Sequence, residues 1–550
     1  MPHRVPGTTA PSLSFKVTRY SEQALVQALQ NEWIKEEELQ ESQQFKLLRK
    51  YLGPIEDKGL GAGTIVTEWP YISQSYLEDY ASYYARCFVP YDRDCKRVHF
   101  FGALFSKRKL LAALSDEKSN ADSDIWKTYL GYIVVKPIPR PLGATLLRPY
   151  PPGDEEARVY PVKRPYRVNV LGREVLIETL IWQQQDTNVS ACATTALWMA
   201  FHKTAFMFQT SLPSPYRITE SAGNLFTTDG RSFPNQGLDT YQLLKSIESL
   251  GLVSELRNQF RHPDHHRLTA EQKVQQLREA KAFIYAYLRL GLPVLVSIDF
   301  GAASHLVVVT GYRSPATGYR YTVSQEEVAG EEVSYVARYS DGITKLYVHD
   351  DGVGPYSRFG FDEEKGLVIT GWPDERQANG KERAHLFELI VPIIADVRIR
   401  YEQVYGQVAE LAALFRFFRV AYDSSTDTAT PVVWDIHLQY SNVHKQATLQ
   451  STAGTAAQRQ RLATRLLPKY VWIARALFLG EPLMELVFDA TDLHTGFYCL
   501  LITTYNPLRA VLEADFHSGA YYAAKILNQR GIPRYLKLLQ DDLGLPLIEL

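Results

Sequence analysis

Between residues 182 and 395 the chain orders its patterns in a way that few folds accept, with helical periodicities first and strand patterns after them. One helical run opens near Cys192, a second lies in LDTYQLLKSIESLGL, and a third in AEQKVQQLREAKAFIYAYLRLG. Then come LPVLVSID, HLVVVTGYR, SYVARY, KLYVHD and HLFELIVPII, short β-branched or aromatic runs bounded by turn residues. Strands that follow one another without intervening helices pair antiparallel, so the segment predicts an α+β domain with an antiparallel sheet.

That segment cannot be the whole protein. At roughly 100–200 residues per domain, a chain of 550 residues predicts about three domains. Residues 20–50 mix apolar and charged positions as amphipathic helix does, further helix is expected at 76–88, and strand-like runs follow at 98–105 and in TYLGYIVVKPI. Proline, glycine and charge then accumulate in PIPRPLGATLLRPYPPGDEEARVYPVKRPY, which places a boundary near residue 155. From residue 396 the helical run YEQVYGQVAELAALFRFFRVAY leads to strand patterns VVWDIHLQY, KYVWIARALF, LMELVFDA and FYCLLITTY, then a short helix near YYAAKILNQR. The expected division is 1–155, 156–395 and 396–550, with α+β units of unassigned role on both flanks.

Composition narrows the function classes. Lys and Arg total 60 against 61 Asp and Glu, with no dense basic run, so nucleic acid has no electrostatic footprint to bind. No stretch approaches the length of a membrane span and the first residues lack an apolar signal region, so no membrane partner and a cytoplasmic location are expected. The cysteines are Cys87, Cys95, Cys192 and Cys499, without a CxxC pair, which suits a reducing compartment rather than a disulfide scaffold.

In such a chain the setting of each thiol matters. In WQQQDTNVSACATTALWMAFHKT, Asn188 or Ser190 can cap a helix, and Ala193, Ala196, Leu197, Ala200 and Phe201 recur at helical spacing. Cys192 then falls in the first turn, where the helix dipole favours a thiolate. Alone it reads equally as a small buried hydrophobe. Downstream, His305 opens a strand after a small-residue turn, and Asp350 ends the strand KLYVHD before a glycine-rich turn. A carboxylate there can meet the distal ring nitrogen and fix the imidazole tautomer, although Asp350 and Asp351 also suit a turn.

The order of a glutamine, a cysteine at a helix start, a histidine on a strand after LPVLVSID and an aspartate ending the next strand resembles the papain-like cysteine peptidase fold. In particular it is similar to the bacterial peptidases that cleave double-glycine leaders, over roughly residues 182–353. The resemblance implies Cys192 as nucleophile, His305 as base and Asp350 as orienting group, with Asp351 as the alternative third member. It implies an oxyanion donor at Gln185, seven residues before the cysteine, or at Gln184, eight before. Ala193 stands where that family places glycine, and Asp350-Asp351 where it often has Asp-Pro. The implied activity is a peptidase or isopeptidase working through a thioester on a protein or peptide substrate, with no cofactor and no metal. The flanking units would choose the substrate or dock a regulatory protein. An acyltransferase or deamidase on the same fold, or an inactive papain-like binding module, are the alternatives.

Three other signals are weaker. His262, Asp264, His265 and His266 stand close in RHPDHHR, but without cysteine and in a polar, proline-containing stretch that reads as a surface turn. GLGAGT near residue 60 lacks the spacing of a phosphate loop. Cys87 and Cys95 sit in an aromatic-rich stretch that reads as packed core or as a docking surface.

Overall fold

A computed structural model describes residues 13–115, 124–152, 157–186, 188–189, 191–223, 237–257, 268–301, 304–316, 318–321, 325–328, 331–334, 336–374, 376, 380–418, 430–494, 496–529 and 533–546. The chain is mixed α+β, and its central part contains a closed six-stranded barrel.

The N-terminal part is an antiparallel sheet in simple order, β1 (Ser14–Arg19), β2 (Thr64–Tyr71), β3 (Cys95–Phe101), β4 (Tyr129–Val135) and β5 (Leu142–Leu147). Helices α1 (Glu22–Leu29), α2 (Glu36–Glu41) and α3 (Gln43–Leu52) join β1 to β2, α4 (Gln74–Ser82) follows β2, and α5 (Lys107–Ser115) and α6 (Asp124–Lys127) precede β4. The proline-rich stretch near residue 155 is thus only partly a connector. Its LGATLL core is β5, buried at every residue, and proline is confined to its flanks.

The middle part begins with β6 (Arg158–Val159) and the hairpin β7 (Arg164–Val170)–β8 (Arg173–Thr179). Then come α7 (Cys192–Phe208), α8 (Pro215–Ala222), α9 (Thr240–Glu248), β9 (Val253–Arg257) and α10 (Ala270–Leu288). The strands β10 (Val294–Asp299), β11 (Ser304–Arg313), β12 (Gln325–Val328), β13 (Glu331–Ser334), β14 (Ala337–Arg338), β15 (Leu346–Asp350), β16 (Gly354–Asp362), β17 (Leu367–Pro373) and β18 (Lys381–Ile393) complete it. Pairing runs β10-β11-β15-β16-β17-β18 and returns from β18 to β10, every ladder antiparallel. The expected antiparallel sheet therefore closes on itself. Closure removes the exposed edges that an open sheet of these strands would present. Helix α7 is buried from Ala193 through Ala205 and packs against β10, β11, β15 and β18. A helix apolar on every side has to be a core element, which is why its sequence shows little amphipathic contrast.

The C-terminal part holds α11 (Tyr401–Phe417), β19 (Val433–Tyr440), α12 (Ser441–Gln450), α13 (Ala456–Thr464), β20 (Tyr470–Phe478), β21 (Glu481–Asp489), β22 (Cys499–Thr504), α14 (Leu508–His517), α15 (Tyr522–Gln529) and α16 (Arg534–Leu543). Its sheet takes its edge strand from the middle part, because β14 pairs in parallel with β19. Among the described residues no helix is long and apolar enough to cross a membrane.

Candidate active site

Cys192 is the first residue of α7, a helix of 17 residues, and is half-buried. The expected cap is corrected here. The N-cap is Ala191, which makes no side-chain cap bond, and Asn188 lies in the preceding turn. Ser190 falls outside the described residues. The turn is instead set by Asp186, whose Oδ1 accepts the backbone N–H of Asn188 at 3.1 Å and of Val189 at 2.6 Å. With no side chain closing the helix, its first amides and the positive end of its dipole remain available beside the thiol.

The approach to Cys192 is pinned by the N-terminal sheet. Trp182 exchanges backbone bonds with Thr145 in β5, and Gln184 N–H donates to Leu142 O at 2.9 Å. The Gln184 side chain is buried, and its Oε1 accepts the Leu142 N–H at 3.3 Å. Gln184 thus belongs to the strand pairing and lines a separate cavity with Trp33 and Arg140, whereas Gln185 is half-buried and one residue nearer the cysteine. Lys136, at the end of β4, lies 3.9 Å from Asp186 and ties the turn to the same sheet.

His305 is the second residue of β11, and its Nε2 is 2.9 Å from Asp350 Oδ1. Hydrogen-bonded there, the neutral ring keeps Nδ1 as its acceptor. Asp350 is fully buried at the end of β15. Its Oδ1 also accepts Gly352 N–H at 2.9 Å, and its Oδ2 accepts the Trp372 indole N–H at 3.0 Å. Trp182 donates its indole N–H to Asp350 O at 2.9 Å. Trp372, on β17, also stands edge-on to His305 with ring centroids 5.4 Å apart, which keeps water off the histidine–carboxylate bond. Only glycine fits at 352, because a Cβ there would run into the Trp372 ring.

Asp351 is also buried, with Oδ1 3.2 Å from His305 Nε2, but without the alignment of a hydrogen bond. Its contact is electrostatic, while Asp350 holds the ring proton. Burial pushes the Asp351 carboxyl up against the opposing pull of His305. Burial alone would pull the His305 pKa down, but Asp350 and Asp351 outweigh it, and the imidazolium is held well above its usual range. Asp350, Asp351 and His305 place one ligand atom each within 4.8 Å of the others, close enough to chelate a cation. However, both Asp350 oxygens already accept N–H donors, which is the setting of an orienting carboxylate rather than a ligand. The histidine cluster at 262–266 lies outside the described residues.

The neighbouring His349 is not a competing base. It is buried against Tyr356, and burial pushes its pKa down to about 3. Among the other thiols, burial pushes Cys95 up to about 12 and Cys499 higher still. Cys192 and His305 line one cleft of about 470 Å³, and His305 also borders a second cleft of about 430 Å³ with Trp372 and Arg376.

The raised His305 value has a direct consequence. Its charged form is the favoured one at neutral pH, so in a Cys192→Ala variant the ring is expected to stay protonated well above pH 6.5, the ordinary histidine value. NMR titration of the imidazole checks this. Asp350→Asn should bring the midpoint down, and a midpoint at or below the ordinary value in Cys192→Ala would contradict the assignment. No family model and no curated protein matches the chain.

Proposed function

We propose that the chain is a papain-like cysteine hydrolase that cleaves an amide or isopeptide bond in a protein or peptide substrate. The observation that carries this reading is a buried histidine, oriented through Nε2 by a fully satisfied aspartate, sharing a cleft with a cysteine at the start of a core helix. The packing of α7 against a barrel that bears the histidine and the aspartate supports the resemblance to the papain-like class. The site rests as a Cys192 thiolate and a His305 imidazolium. The thiolate attacks the carbonyl carbon, and the oxyanion takes bonds from the Cys192 N–H and the Gln185 side-chain amide. His305 passes its proton to the leaving amine, the C–N bond breaks and a thioester remains. Water, deprotonated by His305, then attacks the thioester, the acid leaves and the thiolate is restored. Four free cysteines are consistent with a cytoplasmic setting.

A peptidyl chloromethyl ketone tests the reading without knowledge of the substrate. It is expected to alkylate Cys192, identified by peptide mapping, and to leave the other three thiols unlabelled. Gln185→Ala should slow that labelling on the order of 100-fold, since it removes an oxyanion donor. Gln184→Ala should instead lower stability by about 1 kcal/mol through the lost Leu142 bond. The reverse pattern would move the oxyanion role to Gln184, and no labelling at all would remove the hydrolase assignment.

A further inference from the structure

The cleft beside Cys192 contains a carboxylate for which the hydrolysis above has no task. Glu388 lies on β18 opposite Ser297 of β10 and is 2% exposed. Its Oε1 accepts from Thr240 Oγ1 at 2.9 Å, and its Oε2 from Ser297 Oγ at 3.4 Å. Thr240 opens α9, so one hydroxyl comes from the barrel and the other from a helix. Thr240, Ser297 and Glu388 all line the cleft shared by Cys192 and His305.

A buried carboxylate ordinarily brings its cation with it. The buried glutamates among the described residues are Glu68, Glu388 and Glu485. Glu68 is paired with Arg97 and His99, and Glu485 with Arg475 and His444. Glu388 has hydroxyl partners and, among the described residues, no cation. A carboxylate offers about four acceptor sites, so two weak neutral donors leave it undersatisfied. Leu238, Leu243 and Leu306 line the same cleft and suit the methylene stem of a long side chain.

We propose that Glu388 recognises a lysine or arginine side chain of the substrate, close to the acyl group presented to Cys192. The inference rests on the hydrolase reading above and adds the substrate class to it. Bound in this way, the basic head replaces the missing cation, its stem lies along the leucines, and a neutral or acidic residue at that position leaves the carboxylate unpaired.

The test uses the full chain and matched peptidyl chloromethyl ketones that carry lysine, norleucine or glutamate at either of the two residues preceding the reactive carbon. The rate of Cys192 labelling is read by mass spectrometry. At one of the two positions the lysine probe should label at least roughly 30-fold faster than the norleucine probe, with the glutamate probe slowest. In Glu388→Gln that ratio should fall to within about threefold, because the isosteric amide offers no charge. Equal wild-type rates for lysine and norleucine at both positions would overturn this inference and leave the hydrolase reading intact, and so would a preference that survives Glu388→Gln. The wild-type ratios decide the first arm even if the variant does not fold. Labelling of Cys192 by no probe overturns the hydrolase reading, and this inference falls with it.

Discussion

His305→Gln is expected to reduce acylation of Cys192 by roughly 10³- to 10⁴-fold, the span that a positioned general base contributes. Glutamine can still donate a side-chain N–H to Asp350 and fill most of the imidazole volume, so the neighbouring carboxylates keep a partner. What it cannot do is hold or return a proton at the Cys192 side. Cys192→Ala abolishes acylation outright, because no other group in the cleft forms the thioester. Neither change opens a large cavity in the core, so circular dichroism melts should place both variants near wild type. Turnover in His305→Gln within about tenfold of wild type would remove histidine from the proton path.

The second large effect separates the two aspartates. Three N–H donors converge on Asp350, from His305, Gly352 and Trp372. Asp350→Asn turns one acceptor oxygen into a donor, so an amide N–H must face another N–H in a buried site. That costs about 1–3 kcal/mol of stability. It also removes the charge that favours the imidazolium and frees the ring to take the wrong tautomer, for a loss in rate on the order of 10³- to 10⁴-fold. Asp351→Asn meets no such donors. It should change the rate by less than about tenfold and leave stability unchanged or higher, since a carboxyl that burial already penalises becomes neutral. A silent Asp350→Asn beside a crippling Asp351→Asn would exchange their roles.

What the sequence made visible follows from where each residue sits on its element. Cys192, His305 and Asp350 lie at a helix start, a strand start and a strand end, positions that apolar runs delimit well. The rest depends on contacts between distant segments. Gln184 and Gln185 look alike in sequence, and only the pairing of Trp182 and Gln184 with β5 distinguishes them. Trp372 sits in LVITGWP, and β16 and β17 went unrecognised because Gly354, Gly360 and Gly371 and scattered polar residues break their runs. Glu388 is hidden in an otherwise apolar strand, and its cross-strand partner is 91 residues away. LGATLL was obscured by flanking prolines. In the C-terminal part the strands are long and apolar and stood out, whereas α12, α13, α14 and α16 carry polar residues through much of their length and did not. Nothing local in SYVARY shows that Ala337–Arg338 leaves the barrel to edge another sheet.

The central claim is a thiolate made by an imidazolium, and the pH dependence of Cys192 alkylation by iodoacetamide tests it most directly. The full-length protein is treated briefly across a pH series, and the rate at Cys192 is read by peptide mapping, alongside His305→Gln. A thiolate–imidazolium pair predicts that the Cys192 rate is already on its plateau well below pH 8.5, roughly the ordinary cysteine value, and that His305→Gln loses this plateau. A Cys192 rate that climbs only near that ordinary value and is indifferent to His305 would contradict the account and leave a binding module with an unactivated thiol.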